Sequence, residues 1–460
     1  MDFFFDPDGI AVIGANDNPM KGGYHILRNV LGGYEGPVYP VNPRFESLQG
    51  IPCYQNLESI PERFDLVIYF ISADHLPSTI EACAGKGVRG IIIESAGFAE
   101  VGPGGRALQK ECVSLAAKHH MRLWGPNCMG LLDAHRRHVF SFMYTEDWKT
   151  LMNPGNCSFI VQSGMLSAGF LMMILERGGL HISKMCSIGN KCDVNETELL
   201  EYLIADDDSE VIGLYIESIV EPRRFMELCR STDKPIVVLK GGRSPSGARA
   251  AMSHTASLAG DDRIMRNAFA QAGVTPVYDV TELMDLMRGF SKTKGSRNNG
   301  GTAVITFSGG SGIVTADFLN DYGLPLAQLS DETLHAVKEV FPPWMEPSNP
   351  VDVWPAIEKN GVEKVYSHVI EAIMHDDGVD SLIIHVFSFM MTPDVLKPLN
   401  ELKDRLAKPV AVWGFGMRDS YEQFRKGVEE TGIPVFDEIE RGVRFIAAAK
   451  KHFHRHSPAR

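Results

Sequence analysis

The stretch "GIAVIGANDNPMKGGYHILRNVL" at residues 9–31 decides the fold. An apolar strand, Ile10 to Ile13, stops at Gly14, and a glycine-containing turn leads into a helix. The same punctuation returns at residues 157–179, "CSFIVQSGMLSAGFLMMILERGG", with the turn at Ser163 and Gly164 and a helix from about Met165. It returns again at residues 302–323, "TAVITFSGGSGIVTADFLNDYG", with the turn at Ser308 to Gly312. Short β-rich runs alternating with helical stretches build parallel sheets from βαβ units, so the expected class is α/β with mostly parallel sheets in three modules.

Two stretches read as linkers. "SKTKGSRNNGGT" (Ser291 to Thr302) is polar, basic and glycine-rich, and the stretch from about Asp133 to Asn156 ends in "NPGN". The expected modules are 1–135, 150–290 and 301–460. A length of 460 residues agrees with about three domains of roughly 150 residues each.

Composition narrows the function classes. Hydrophobic residues make up 44% and charged residues 22%, ordinary for a globular chain with sizeable cores. Lys plus Arg number 45 against 58 Asp plus Glu, and a net charge of -13 argues against broad nucleic-acid binding, which needs a basic footprint. The start, "MDFFFDPDGI", has three aspartates and no basic n-region, and no apolar run is long enough to span a bilayer. Eight scattered cysteines without a CxxC pair fit reduced thiols, so a cytoplasmic protein without a metal site is expected. The end, "KKHFHRHSPAR", reads as a disordered basic tail, with a metal site at His452, His454 and His456 as the second reading.

Three glycine-rich turns at strand ends favour phosphorylated or carboxylated ligands. In doubly wound folds these turns lie where ligands sit, and each following helix offers unpaired N–H groups to an anion. The first turn, "GANDNP", lacks the third glycine of a dinucleotide fingerprint. After the second strand, "GPVYPVNPR" brings Asn42, Pro43 and Arg44 where an NAD fold would bring an acidic residue. Arg44 suits a phosphate, so an adenine nucleotide carrying extra phosphate is the better ligand.

The ordered series "VIGANDNPMKGG", "VYPVNPR", "IIIESAGFAEVGPGG", "WGPNCMG", "VQSGMLSAG", "SIGNKCDVNETELLEYL", "LYIESI", "SHTASLAG", "SGGSG" and "SNPVDVW" covers the whole chain. It resembles the α subunit of NDP-forming acyl-CoA synthetases of the ADP-forming acetyl-CoA synthetase type, relatives of succinyl-CoA synthetase. The resemblance implies a Rossmann-like CoA-binding domain followed by two flavodoxin-like ligase domains. It implies that Gly14, Ala15, Asn16 and Lys21 meet the nucleotide phosphates of CoA, with Asn42, Pro43 and Arg44 along the adenosine part and Ser72 also in the CoA site. Glu94, Ser95 and Ala96 would contact the pantetheine arm, and Asn127 and Cys128 would lie near the thiol end. Cys128 can equally be read as a buried small residue.

His254, in "AAMSHTASLAG", matches the family's phosphorylated histidine, on what reads as a mobile, accessible loop. A phosphohistidine needs a carboxylate on its second nitrogen to fix the tautomer and stabilise the imidazolium. Glu217 matches that carboxylate, and its apolar setting, "IGLYIESIV", argues against an idle solvated side chain. Two helix N-termini would hold the phosphoryl group: Ser163, Gly164 and Met165 in the second module, and Gly309, Gly310, Ser311 and Gly312 in the third. Two residues depart from the family pattern, Ala256 where glycine is common and Asn16 where serine is usual.

The resemblance also implies what the chain lacks. ATP/ADP and Mg²⁺ would reside on a separate ATP-grasp β subunit, in an α2β2 assembly making acyl-CoA from a small carboxylic acid, CoA and ATP. A rival reading is a CoA or acyl-CoA binding or regulatory protein, which has no reason to keep His254 with Glu217; a dinucleotide-dependent oxidoreductase lacks its fingerprint. The acyl pocket would lie between the CoA thiol and His254, with walls drawn from "FSFMYTEDW" (residues 140–148) or "WMEPSNPVDVW" (residues 344–354), both of which stay open at this point.

Overall fold

In the computed structural model the described backbone covers residues 1–255, 262–296 and 300–456, without the side chains of Met252 to Thr255, Glu401 and His456. The first sheet contains β1 (Ile10–Ile13), β2 (Val38–Val41), β5 (Leu66–Tyr69), β6 (Gly90–Ile93) and β7 (Arg122–Trp124). A small separate hairpin, β3 (Ser47–Leu48) with β4 (Ile51–Pro52), follows β2. The second sheet contains β8 (Leu131–Asp133), β9 (His138–Phe140), β10 (Cys157–Val161), β11 (Ile182–Ser187), β12 (Val211–Ile216), β13 (Ile236–Lys240) and β14 (Thr275–Val277). The third contains β15 (Gly301–Thr306), β16 (Val351–Asp352), β17 (Val379–Phe387), β18 (Val410–Phe415) and β19 (Val435–Phe436).

The expected class holds, and the three sheets repeat one plan. Their orders are β2-β1-β5-β6-β7, β14-β13-β12-β10-β11-β8-β9 and β16-β15-β17-β18-β19. In the first and third sheets the strands read 2-1-3-4-5 in chain order, so each sheet reverses direction beside its first strand. In the second, β10 likewise lies between β11 on one side and β12 on the other. The turns after β1, β10 and β15 are the three glycine-rich turns, at the crevice where such sheets take ligands. Strands such as Ile10–Ile13 and Cys157–Val161 are buried throughout, as expected of parallel strands covered by helices on both faces.

The chain divides into two compact units, 1–280 and 281–460. The first unit joins the first two sheets through one apolar cluster that includes Ile10, Ile68 and Trp124 with Ile160, Ile212 and Leu214. The second unit has its own core around Ile305, Ile370 and Ile384.

Two expectations are corrected, and one helix groups differently from the expected modules. The stretch 133–156 is not a free linker: β9 pairs with β8, and β8 pairs antiparallel with β11 at the edge of the second sheet. Beyond it, Asn29 donates to the carbonyls of Ser141 and Met143 at 2.8 and 2.7 Å, and Trp148 donates to Asn29 at 3.0 Å. The helix Val280–Ser291 falls almost entirely in the second unit, because its buried polar side chains find their partners there: Arg288 pairs with Glu429 (3.1 Å), Asp285 with Arg441 (3.2 Å), and Glu282 with Arg444. Residues Ile439–His456 are helical, so the expected disordered tail does not begin before its histidines, and residues 457–460 lie outside the described residues. Phe445, Ile446 and Ala449 are buried on one face, and His452 packs edge-on against Phe290 at 5.6 Å.

The added hairpin is anchored by charge. Lys184 of β11, with 3% of its side chain exposed, sits 3.6 Å from Asp133 of β8 and 2.9 Å from Asp206. Removing one partner of a buried pair leaves an uncompensated charge. Lys184→Met should therefore lower unfolding stability by about 3–5 kcal/mol in urea titrations. The double variant Lys184→Met/Asp133→Asn should recover part of that loss, a coupling that independent sites would not show.

Candidate functional site

At the first turn two backbones touch. Gly14 has φ +88°, and a Cβ there would come within 2.5 Å of the Phe70 carbonyl oxygen. A Cβ on Gly23 would lie 1.9 Å from the Gly14 oxygen, so only glycine lets the helix Gly22–Leu31 start this close to the turn. Asn42, 7% exposed, ties the turn to the next strand: its amide donates to Ala15 O at 2.8 Å and its Oδ1 accepts from Arg44 N at 3.0 Å. Asn16 accepts from Asn18 N at 3.0 Å, Ala15 is fully buried, and Lys21 is exposed at the helix N-cap.

Two cavities lie along this strand edge. One, of about 610 Å³, is lined by Gly14, Asn42, Pro43, Arg44, Ser72 and their neighbours. The other, of about 520 Å³, is lined by Glu94, Ser95, Ala96, Asn127 and Cys128 from the first sheet's side, and by Ser163, Gly164 and Met165 from the second's. Ile71 borders both. Ala15, Asn16 and Lys21 line neither. Such a pair has room for an elongated ligand, and Arg44 in the first cavity offers a cation to an anionic end.

The second cavity is where separate sequence motifs meet. Asn127, in the left-handed region at φ +57°, donates its N–H to Ser95 O at 2.9 Å. The Cys128 thiol is 2% exposed, donates to Ile93 O at 3.3 Å, and burial pushes its pKa well up, so it stays protonated. That favours its packing reading over a thiolate role. Glu94 is 4% exposed; its Oε2 accepts from Phe142 N at 2.9 Å. Burial raises the Glu94 carboxyl well above its ordinary range, the Phe142 N–H opposing only in part. Phe142 comes from "FSFMYTEDW", one of the two wall segments between which the sequence did not choose, and with Phe70, Met129 and Met165 it makes the cavity largely apolar.

The turn after β10 is capped by Ser163, whose Oγ accepts from Leu166 N at 3.4 Å as the helix Gly164–Arg177 begins. Gln162, just before it, was not singled out from sequence, yet its Oε1 accepts from Glu217 N at 2.7 Å and from Ser218 N at 3.4 Å. Glu217 is buried at 4%, with the Tyr215 hydroxyl 3.3 Å from its Oε1. Two buried lysines flank it. Lys240 donates to Glu217 O at 2.7 Å, and Lys191 bridges Glu196 and Ser218 O, both at 2.7 Å. Burial lowers both lysine pKa values, and the Glu217 charge acts to raise them. A lysine inside "SIGNKCDVNE" or ending the strand "IVVLK" was the available signal.

His254 differs from expectation in backbone. It lies in the last turn of the helix Pro245–Thr255, not in a loop; Pro245 begins that helix and the Ser244 hydroxyl accepts from Gly247 N at 3.0 Å. Its side chain, like Ala256 and the rest of "ASLAG", lies outside the described residues.

In the second unit, Ser308 occupies the N-cap of the helix Gly309–Asp321. Gly309 and Gly310 are exposed, whereas Gly312 is buried, its added Cβ meeting Pro350 at 3.0 Å. The Ser311 hydroxyl is turned inward to Thr306 (2.7 Å) and His385 (3.2 Å). Ser311 thus offers an anion its backbone only. Burial drives the His385 pKa down to about 3, keeping the ring neutral within that hydroxyl cluster.

Three family models match this chain: a CoA binding domain at residues 8–134, a succinyl-CoA ligase like flavodoxin domain at 154–290, and a ligase-CoA domain at 302–415. The acetate–CoA ligase (ADP-forming) II subunit alpha of Pyrococcus furiosus is 35% identical over 452 residues, covering 96% of this chain and 95% of that subunit. Acetate–CoA ligase (ADP-forming) II of Archaeoglobus fulgidus is 34% identical over 454 residues, and there the match covers 97% of this chain but 66% of the relative. Among solved structures, the dinucleotide-forming acetyl-coenzyme A synthetase 1 of Ca. Korarchaeum cryptofilum, in complex with phosphate and ADP, superposes with a TM-score of 0.88 at 30% identity, covering 99% and 97% of the two chains.

The buried carboxyl gives a signed test. Between the ordinary glutamate value of about 4.3 and its raised folded value, the folded chain keeps a proton that the unfolded chain has released. Stability should therefore fall as pH rises through that window. Glu94→Gln removes the titration, so its melting temperature relative to the natural chain should rise between pH 5 and pH 8; a pH-independent difference would contradict the neutral carboxyl.

Proposed function

The chain belongs to the α-subunit branch of the ADP-forming acyl-CoA ligases, and from that premise we propose that it makes acyl-CoA from a carboxylic acid, CoA and ATP through an acyl phosphate and a phosphohistidine at His254. The observation that carries this reading is the pair of adjoining cavities along the carboxyl edge of the first sheet, the second closed by the capped helix start at Ser163 and Gly164. The nucleotide part of CoA would take the cavity of Arg44, Asn42, Pro43 and Ser72, near the Gly14 turn. The pantetheine arm would pass Ile71 and run along residues 94–96, bringing the thiol to Asn127 and Cys128.

Amides at the start of the helix Gly164–Arg177 would stabilise the phosphoryl group without a lysine, as preorganised donors do. The amides of Gly309, Gly310, Ser311 and Gly312, at a helix start within the second unit, would bind phosphate in the same way. Glu217 would hold the imidazole tautomer of His254 and stabilise the cation formed on phosphorylation. Its backbone is pinned by Gln162 and Lys240, so the carboxylate is presented at a set position. In synthesis His254 would take the terminal phosphoryl group of ATP, releasing ADP, and pass it to the acid's carboxylate to give the acyl phosphate; the thiol of bound CoA, losing its proton, would then attack the acyl carbonyl with inorganic phosphate leaving, and the steps run in either direction.

A relative named "subunit alpha" implies a separate partner chain. We assign that partner an ATP-grasp fold carrying the nucleotide and Mg²⁺, in an α2β2 assembly acting in the cytoplasm. Among the described residues no helix is long and apolar enough to cross a membrane. Modules of 1–135, 150–290 and 301–460 would carry CoA binding, the phosphohistidine and the second helix start.

Incubating the complex with labelled ATP and Mg²⁺ should label this chain at His254, in a bond stable to alkali and labile to acid. His254→Ala should abolish labelling and synthesis while CoA binding survives. Glu217→Gln should slow labelling by roughly 10²–10⁴-fold. Arg44→Ala should raise the dissociation constant for CoA by calorimetry and flatten its salt dependence. Wild-type turnover by the His254→Ala complex would sink the phosphohistidine route.

A further inference from the structure

His385 is fully buried in β17, and the reaction above gives it no part. Its ring stands edge-on to Trp413 at 5.0 Å, and its carbonyl accepts from the Tyr366 hydroxyl at 2.6 Å. Three hydroxyls meet the ring. Thr306 Oγ1 and Ser311 Oγ lie 3.0 and 3.2 Å from Nδ1, and Thr315 Oγ1 lies 3.1 Å from Nε2. Thr306 ends β15, whereas Ser311 and Thr315 are one turn apart on the helix Gly309–Asp321. A buried imidazole therefore ties the strand end to the first turn of the helix that follows it.

Counting hydrogens fixes the state of the ring, because each hydroxyl carries one. Thr315 gives its hydrogen to Ser311 O at 2.7 Å, so toward Nε2 it only accepts, and Nε2 carries the ring proton. Nδ1 is then an acceptor and takes the hydrogen of Thr306 or Ser311. Whichever of the two is left gives its own to Ser308 O, 2.8 Å from Thr306 Oγ1 and 3.0 Å from Ser311 Oγ. Since burial keeps the ring neutral, His385 contributes geometry to the turn and no charge.

The turn is where this geometry acts. Ser308 N donates to Thr306 Oγ1 at 3.1 Å and Ser308 O accepts from Gly312 N at 3.1 Å, so the residue before the helix is held at both ends. Ser308 makes no side-chain cap bond, unlike Ser163 at the helix start in the first unit. The Ser311 hydroxyl, which from the first turn is within local reach of the backbone, is drawn inward to Thr306 and His385 instead. Gly309 and Gly310 are exposed and carry no side chain of their own. An apolar residue at 385 would pack against Trp413 equally well, but would release the hydroxyls that hold this arrangement.

We propose that His385 is a positioning residue for phosphate: through Thr306, Ser311 and Thr315 it fixes the turn Ser308–Ser311 so that the amides of Gly309, Gly310 and Ser311 meet the anion uncovered. The proposal rests on the ligase reading above, in which this helix start binds phosphate, and adds a residue that touches no reactant.

The test uses the chain assembled with its ATP-grasp partner, run from acyl-CoA, ADP, Mg²⁺ and inorganic phosphate, with phosphate varied. The acyl-CoA is whichever of acetyl-CoA, butyryl-CoA and phenylacetyl-CoA the natural complex turns over fastest. His385→Phe keeps a ring but loses both nitrogens, and KM for phosphate should rise about 10-fold or more, with KM for acyl-CoA within about twofold. His385→Asn returns an acceptor near the place of Nδ1 and should recover part of that loss. Thr315→Val should raise KM for phosphate and Thr315→Ser should not; this pair decides the matter if melting curves show the variants at 385 unfolded. Lowered melting temperatures with both KM values unchanged, or moved together, would make His385 a core residue only and overturn the proposal. Gly310→Asp tests the reading beneath it. A Cβ there has 3.7 Å to its nearest neighbour, the Ser308 hydroxyl, and the added carboxylate would repel phosphate from the helix start. A raised KM for phosphate in Gly310→Asp without one in His385→Phe or Thr315→Val overturns the proposal alone. An unchanged KM in Gly310→Asp takes phosphate away from this helix, and absence of turnover with all three acyl-CoA substrates overturns the ligase reading; either result removes the proposal with it.

Discussion

The segment 123–130 is hydrogen-bonded on both sides at once, and the site follows from that. Toward the first sheet, Asn127 N donates to Ser95 O and the Cys128 thiol to Ile93 O. Toward the second, Asn190 N and Cys192 N donate to the carbonyls of Pro126 and Gly125, each at 2.9 Å, and Ser187 N donates to Gly130 O at 3.0 Å. Trp124 adds its indole N–H to Ser187 O at 2.7 Å. A backbone paired on both flanks cannot shift toward either sheet without losing bonds to the other. The carboxyl edges of two sheets are thereby held face to face, and the cavity is the space between them.

Close approach here demands residues without side chains. Gly189, at φ +51°, would place a Cβ 2.1 Å from Pro126 O, and Gly23 would place one 1.9 Å from Gly14 O. Neither position tolerates a larger residue without moving backbone. Charge reinforces the seam at its outer end, where Arg122 of β7 binds both Asp193 and Glu198 at 2.9 Å. The motifs "WGPNCMG" and "SIGNKCDVNE" are thus two halves of one interface, although about sixty residues separate them.

The proposed chemistry draws on the same rigidity. Glu217, Gln162, Lys240 and Lys191 form a buried polar set in which backbone groups are paired and Lys191 is ion-paired with Glu196. Such a set presents a carboxylate at a defined place, as a histidine partner requires. The helix that ends just beyond His254 follows the strand that delivers Lys240, so the phosphohistidine candidate and its carboxylate are carried by neighbouring strands, β12 and β13.

Apolar runs ending at glycine leave few alternatives to βαβ, so the three sheets and the turns on which ligands were sought could be read from the chain alone. The motifs, matched in order, also pointed to residues for the CoA and phosphate sites. What surrounds those residues was settled by packing between distant segments. Residues 133–156 read as a linker for want of a long apolar run, yet their value lies in pairing: β8 and β9 extend a sheet, and Phe142 reaches Glu94 across 48 residues of sequence. Helix Val280–Ser291 reads as the end of the 150–290 module, yet its buried charges pair with Glu429, Arg441 and Arg444, far along the chain. Burial of Glu94 and the inward turn of Ser311 were likewise invisible, because a polar residue's letter does not say which partners the fold will bring to it.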